Sequence, residues 1–137
     1  MGLILDSSVL IAGERSGETV RQVVQRIQTA FGDVESAVSA ITIVELNHGV
    51  YRAKTREQSG RRKAFVEELC RDLLVLPVTL EIALLAGRIE GEQAAKGNII
   101  AFEDLVIGAT ALHLGFDVAT LNLKHFQRIP GLNVVSV

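Results

Sequence analysis

The feature that most constrains this chain is its opening stretch, residues 2–11, which reads Gly-Leu-Ile-Leu-Asp-Ser-Ser-Val-Leu-Ile. Leu3, Ile4 and Leu5 form a short uninterrupted apolar run, the kind used by a strand buried on both faces. One carboxylate, Asp6, stops the run; two hydroxyls follow, and Val9, Leu10 and Ile11 resume the apolar pattern. This is a core strand turning directly into a helix, with Ser7 or Ser8 as N-cap. In open parallel sheets the ligand crevice lies beyond the carboxyl ends of the strands, so Asp6 stands at the lip of such a crevice. The same position equally suits a plain helix cap, and the rest of the chain has to discriminate.

Downstream, short apolar runs alternate with helical periodicity. Residues 13–31 carry Val20, Val23, Val24, Ile27, Ala30 and Phe31 at helical spacing, ended by Gly32-Asp33. Residues 36–40 form a small-residue strand. The next helix opens with Thr42 as N-cap and Glu45 three positions on, a capping-box spacing. Residues 61–73 put Phe65, Val66, Leu69 and Leu73 on one helix face, and residues 74–78 form a third strand whose end is fixed by Pro77. Thr79 caps a helix to about Lys96, stopped by Gly97-Asn98. Glu103 and Asp104 head a helix over 105–114, where Gly108, Ala109 and Ala111 keep one face thin for close packing. Residues 117–121 are a fourth strand, 122–127 a short helix or turn, and 132–137 an apolar terminal strand, with Phe126 packing into the core. The pattern predicts an α/β fold, a parallel sheet covered on both faces, in a single domain over residues 1–137.

Composition excludes several classes. The one cysteine, Cys70, rules out an internal disulfide and suits a reducing, cytoplasmic setting. It lies in an amphipathic stretch with no neighbouring histidine, which predicts a packed thiol. The apolar start lacks a basic n-region and no run is long enough to span a bilayer, so no membrane association is expected. The net charge of −2 excludes polyanion binding by bulk electrostatics and leaves it to a local patch. Residues 52–63 supply one, with six bases against one acid. Ser59-Gly60 break its periodicity and predict the turn of a helical hairpin. Arg52, Arg56, Arg61 and Arg62, with Lys124 further on, are candidates for phosphate-backbone contact.

Three acids share one property: each sits where an element begins or ends beside apolar core. Asp6 ends a strand, and Glu45 and Asp104 open helices. First-turn acids complement the helix dipole, which accounts for Glu45 and Asp104 taken singly. Taken together, four segments occur in order: residues 5–11 (LDSSVLI), 42–49 (TIVELNHG), 104–111 (DLVIGATA) and 120–126 (TLNLKHF). That series resembles the PIN-domain ribonucleases, specifically the VapC-type toxins of bacterial toxin–antitoxin pairs, over Leu3 to Val135.

The resemblance implies a three-layer α/β/α sandwich with acids gathered at one edge of a parallel sheet to bind Mg²⁺ or Mn²⁺. Asp6, Glu45 and Asp104 match the family's catalytic, metal-binding acids. The fourth position, often acidic, falls on Asn122, whose carbonyl can ligate or position a hydrated cation but adds no charge. It further implies a metal-dependent endoribonuclease, held off by a VapB-type antitoxin and dimeric, with the basic region near an antitoxin or dimer surface. The chemistry suits the residue types. Three clustered carboxylates with no compensating base repel one another, which calls for a cation, and a carboxylate-bound Mg²⁺ can both activate water and stabilise charge on a phosphate.

Other acids are excluded. Asp117 begins the strand that ends near Asn122, about 16 Å away at roughly 3.3 Å per residue. Glu103 is turned about 100° from Asp104 on the helix and serves as a supporting group. Ser7 or Ser8 could hold a metal-bound water. His113 reads as a surface residue, and His48 and His125 as structural. A haloacid-dehalogenase-type phosphatase fails because Ser8 stands where that chemistry needs a second Asp. A receiver-like domain fails for want of adjacent acids after the first strand. A non-catalytic RNA- or protein-binding module, with Asn122 marking an impaired site, is the remaining alternative.

Overall fold

A computed structural model describes residues 2–137. In it, β1 (Gly2–Leu5) is buried throughout and passes without a loop into α1 (Ser7–Arg15). Asp6 itself occupies the N-cap position, so neither serine caps α1. The helical pattern over 13–31 is divided between α1 and α2 (Val20–Phe31). The break falls at Gly17, whose φ of +79° is accessible to glycine at little cost. Thr19 and Gln22 then restart the helix with a reciprocal capping box.

β2 (Glu35–Ser39) runs into α3 (Ala40–Tyr51), and the cap is Ser39, whose hydroxyl accepts the Ile41 amide. Thr42 is therefore inside the helix and fully buried, and Glu45 lies in the second turn rather than the first. Ser39 wins because it still has extended backbone as the last strand residue, the geometry an N-cap requires. The hairpin turn also differs from expectation: it is at residues 52–55, where Thr55 caps α4 (Arg56–Asp72). Ser59 and Gly60 are helical, and the Ser59 hydroxyl donates to Val50 O of α3. Cys70 is exposed, one residue past buried Leu69 and so rotated off the apolar face.

β3 (Leu74–Leu76) leads to α5 (Leu80–Ala95), capped by Thr79 as expected. α6 (Phe102–Leu114) carries Glu103 and Asp104 in its first turn and ends at left-handed Gly115. Its thin face receives Ile129: a Cβ on Gly108 would lie 2.5 Å from that side chain. β4 (Asp117–Thr120), the short α7 (Leu123–Phe126) and β5 (Val134–Ser136) complete the chain.

The five strands are parallel in the order β3-β2-β1-β4-β5, flanked by helices, an α/β/α sandwich. Alternation along the strands makes two cores. Ile4, Ala37 and Val118 face α5 and α6, with fully buried Phe126; Leu3, Leu5, Val38 and Ala119 face α1, α2 and α4. The chain moves outward from β1 to β3, then returns to β1's other side as β4. The carboxyl ends of β1 and β4 thus flank the topological switch point, where open α/β sheets bind ligands. Register pairs Leu5 with Ala119, so Asp6 and Thr120 follow side by side, while Asp117 lies beside Leu3 at the far end.

Candidate active site

Asp6 continues β1 in extended conformation and donates its amide to Ala119 O at 2.9 Å. Its side chain makes no capping hydrogen bond with α1. Instead Oδ2 accepts the Ser8 hydroxyl at 2.7 Å and the Thr120 hydroxyl at 2.8 Å. Those two oxygens accept the Leu121 and Asn122 amides, at 3.1 and 2.9 Å. Backbone donors of the β4–α7 turn thus reach the carboxylate through two hydroxyls, and Asp6 is only 3% exposed. A plain cap would spend this carboxylate on α1 amides. Asp6 is held for something else.

Thr120 escapes a reading of the sequence, because its role depends on lying beside Asp6, 114 residues away along the chain. Its signal was only its place at the end of a strand.

Across from Asp6, α3 contributes Glu45 and α6 contributes Glu103 and Asp104. Glu103 is pushed up to about 8, first by a hydrogen bond to the Glu45 carboxyl that requires its proton. Burial and the negative charges of Glu45, Asp104 and Asp6 add to this. Asp104 is raised to about 6 by burial and by Asp6 and Glu45, against an opposing effect of His125. The His125 Nδ1 approaches Asp104 Oδ2 to 3.5 Å. Glu45 Oε1 is buried without a hydrogen-bond partner. All four acids, with both serines, Asn122 and His125, line one open cleft. Asn122 caps α7 by position but makes no side-chain cap.

As they stand, the side chains form no three-ligand cage among the described residues. The donor set nevertheless fits a hard divalent cation: carboxylate oxygens, an amide, an orphaned Glu45 oxygen and carboxyls whose charge is opposed by neighbouring acids. Mg²⁺ and Mn²⁺ favour such oxygen ligands, and Mg²⁺ keeps several of its waters, so a few carboxylates around an open cleft suffice.

The basic candidates are dispersed. Arg52 and Arg62 line a hollow that shares Ile11 and Glu45 with the acidic cleft. Arg62 is also a brace, its Nη1 donating to Gly49 O at 2.8 Å and its Nε 4.0 Å from Glu14. Arg61 lines a neighbouring groove with Glu14 and Arg15. Arg56 opens α4 and Lys124 lies on α7; both are exposed, and neither lines the acidic cleft. Exposed His48 and His113 lie outside it as well.

A family model for the PIN domain matches residues 3–132. The chain belongs to the PIN-domain family. Within it, the chain is 33% identical over 137 residues to ribonuclease VapC1 of Rickettsia felis, covering 100% of this chain and 97% of that protein. It is 35% identical over 97 residues to the tRNA(fMet)-specific endonuclease VapC of Salmonella typhimurium, covering 71% of each. Among solved structures, DNA-bound VapBC from Salmonella typhimurium aligns with a TM-score of 0.83 at 27% identity, over 99% of this chain and 98% of that one. VapBC-1 from nontypeable Haemophilus influenzae aligns at 0.80 and 28%, over 99% and 98%. This PIN-domain chain is therefore of the VapC ribonuclease group, and the fold expected from its motifs is the one found. Among the described residues, no helix is long and apolar enough to cross a membrane.

Proposed function

We propose that this VapC-family protein is the toxin of a type II toxin–antitoxin pair, an Mg²⁺- or Mn²⁺-dependent endoribonuclease acting in the cytoplasm as one domain. The observation that carries the proposal is the convergence of Asp6, Glu45 and Asp104 on one cleft at the switch point, with the Asp6 carboxylate held by the Ser8 and Thr120 hydroxyls instead of capping the amides of α1. Asp6, Glu45 and Asp104 are assigned as metal-binding and catalytic acids, with Asn122 completing the rim.

A divalent cation bound to these acids would supply charge stabilisation for the scissile phosphate and a nucleophilic water. The chain's own groups do the rest. Ser8 and Thr120 hold Asp6 in place through its Oδ2. Glu45 and Asp104 line the same cleft as Asp6, and these acids would hold a cation that offsets their repulsion of a phosphodiester. Arg52 and Arg62, in the hollow beyond Glu45, and Arg56, Arg61 and Lys124 outside it, are assigned to the RNA backbone. A VapB-type antitoxin and a second copy of this chain are the proposed protein partners; the solved relatives named above are VapBC assemblies.

The test is cleavage of total cellular RNA by the purified protein with Mg²⁺ or Mn²⁺ and with EDTA, alongside Asp6→Asn. Discrete fragments that require metal and vanish in the variant are the expected result. A folded, antitoxin-free protein that cuts nothing would overturn the enzyme assignment in favour of a binding module.

A further inference from the structure

We propose that His125 is the positioning residue of Asp104: its Nδ1–H donates to the carboxylate and fixes the orientation in which Asp104 meets a divalent cation. The proposal rests on the metal-site assignment above and adds a residue to it.

The two candidate ligands are served differently. Asp6 receives two hydroxyl donors at 2.7 and 2.8 Å. Asp104 has the His125 Nδ1 at 3.5 Å from Oδ2, an approach a few tenths of an ångström short of a full hydrogen bond. The charges of Asp6 and Glu45 in the same cleft oppose its own. Burial does not force the imidazole toward Asp104, because the ring is 57% exposed. It lies there because of the backbone that carries it. Phe126 and Ile129 bury the inner side of the segment, at 0% and 2% exposure. The His125 amide donates to Asn122 O at 3.1 Å, and the Asn122 amide to Thr120 Oγ1 at 2.9 Å. Thr120 is the same side chain that donates to Asp6 Oδ2. One corner, from Thr120 to Phe126, therefore holds one acid directly and presents a donor to the other.

Carboxylates that bind metal ions are commonly oriented by outer hydrogen-bond partners, and losing such a partner typically costs about 10–100-fold in metal affinity or activity. Neutral histidine in the Nδ1–H tautomer also carries a donor at this nitrogen, so no change of charge is required.

The experiment is calorimetric titration of the metal-free full chain with Mn²⁺, for the parent and for His125→Leu, His125→Asn and His125→Gln, with RNA cleavage measured in parallel. Leu fills the space without a donor. The Asn amide nitrogen sits two bonds from Cβ, as Nδ1 does, whereas Gln places its nitrogen one carbon further out. His125→Leu should bind Mn²⁺ roughly tenfold or more weakly and lose kcat by a similar factor with KM unchanged. His125→Asn should recover to within about threefold of the parent and exceed His125→Gln. The comparison of Asn with Gln stands even where the Leu variant fails to fold. Equal Mn²⁺ binding by parent and Leu variant, or Asn no better than Gln, overturns the role of His125 alone. A folded parent that binds no Mn²⁺ overturns the metal site and this role with it.

Discussion

The two walls of the cleft are built on opposite principles. On the β1–β4 wall, Asp6 is buried and its Oδ2 is satisfied by two hydroxyls that are themselves tied to backbone amides. On the α3–α6 wall, Glu45, Glu103 and Asp104 lie close enough to oppose one another's charges, which raises the proton affinity of Glu103 and Asp104, and Glu45 Oε1 is left without a partner. Buried charge is tolerated where donors surround it and costly where they do not. The first wall is arranged so that its buried charge is compatible with folding. The second is at odds with folding, the usual mark of a place prepared for a ligand that carries the missing charge.

Neutralising one acid on each wall separates the two contributions. Asp6→Asn and Asp104→Asn should each slow metal-dependent RNA cleavage by roughly a hundredfold or more, since a bound cation is worth several kcal/mol to the transition state. Their stabilities without metal should diverge. Asp104→Asn removes an opposed charge and should gain roughly 1 kcal/mol after allowance for solvent screening. Asp6→Asn replaces two charge-assisted hydrogen bonds by neutral ones and should lose about as much. Urea denaturation in EDTA measures both, and equal shifts in the same direction would erase the contrast.

Thr120→Val tests whether the satisfied wall depends on its second hydroxyl. It strips a donor from Asp6 and an acceptor from the Asn122 amide, which should cost about 1–3 kcal/mol of stability and roughly tenfold in Mn²⁺ affinity. A variant that melts and binds Mn²⁺ like the parent would show that Ser8 alone suffices.

The smallest effect concerns pH. Asp104 and Glu103 rise from ordinary values of 3.8 and 4.5 to about 6 and about 8. Between the ordinary and the raised values, the folded chain holds protons that the unfolded chain has released. Their contribution therefore favours folding at low pH and is lost as pH rises through about 6 and then about 8. The melting temperature of EDTA-treated protein should fall across that window more steeply than that of Glu103→Gln. Mg²⁺ should restore it most at the alkaline end. Identical slopes for parent and variant would remove Glu103 from the strained wall.

The apolar runs, the helical spacing and the acid at the end of the first strand were enough to read an α/β sheet with Asp6 at its crevice, because each is a local pattern with a local cause. Boundaries were less legible. Thr42 and Ser39 are both competent caps, and only the end of β2 decides for Ser39. Ser59-Gly60 looks like a turn, yet Thr55 starts the helix earlier, and Ser59 uses its hydroxyl on Val50. Phe126 packs as its sequence suggests, whereas His125, beside it, faces Asp104 in the cleft instead of serving only the scaffold.

The sequence alone determined which groups this protein has to work with: a core strand ending in Asp6, two hydroxyls just after it, acids heading α6 and a basic stretch after α3. Tertiary structure decided what each group meets. Thr120 reaches Asp6 because β4 pairs with β1 in one particular register, and Glu103 keeps its proton because α3 brings Glu45 against it. Spacing along a chain fixes which residues share a strand or a helix face, whereas charge repulsion and hydrogen bonding depend on distances across it, and those exist only once the sheet has closed.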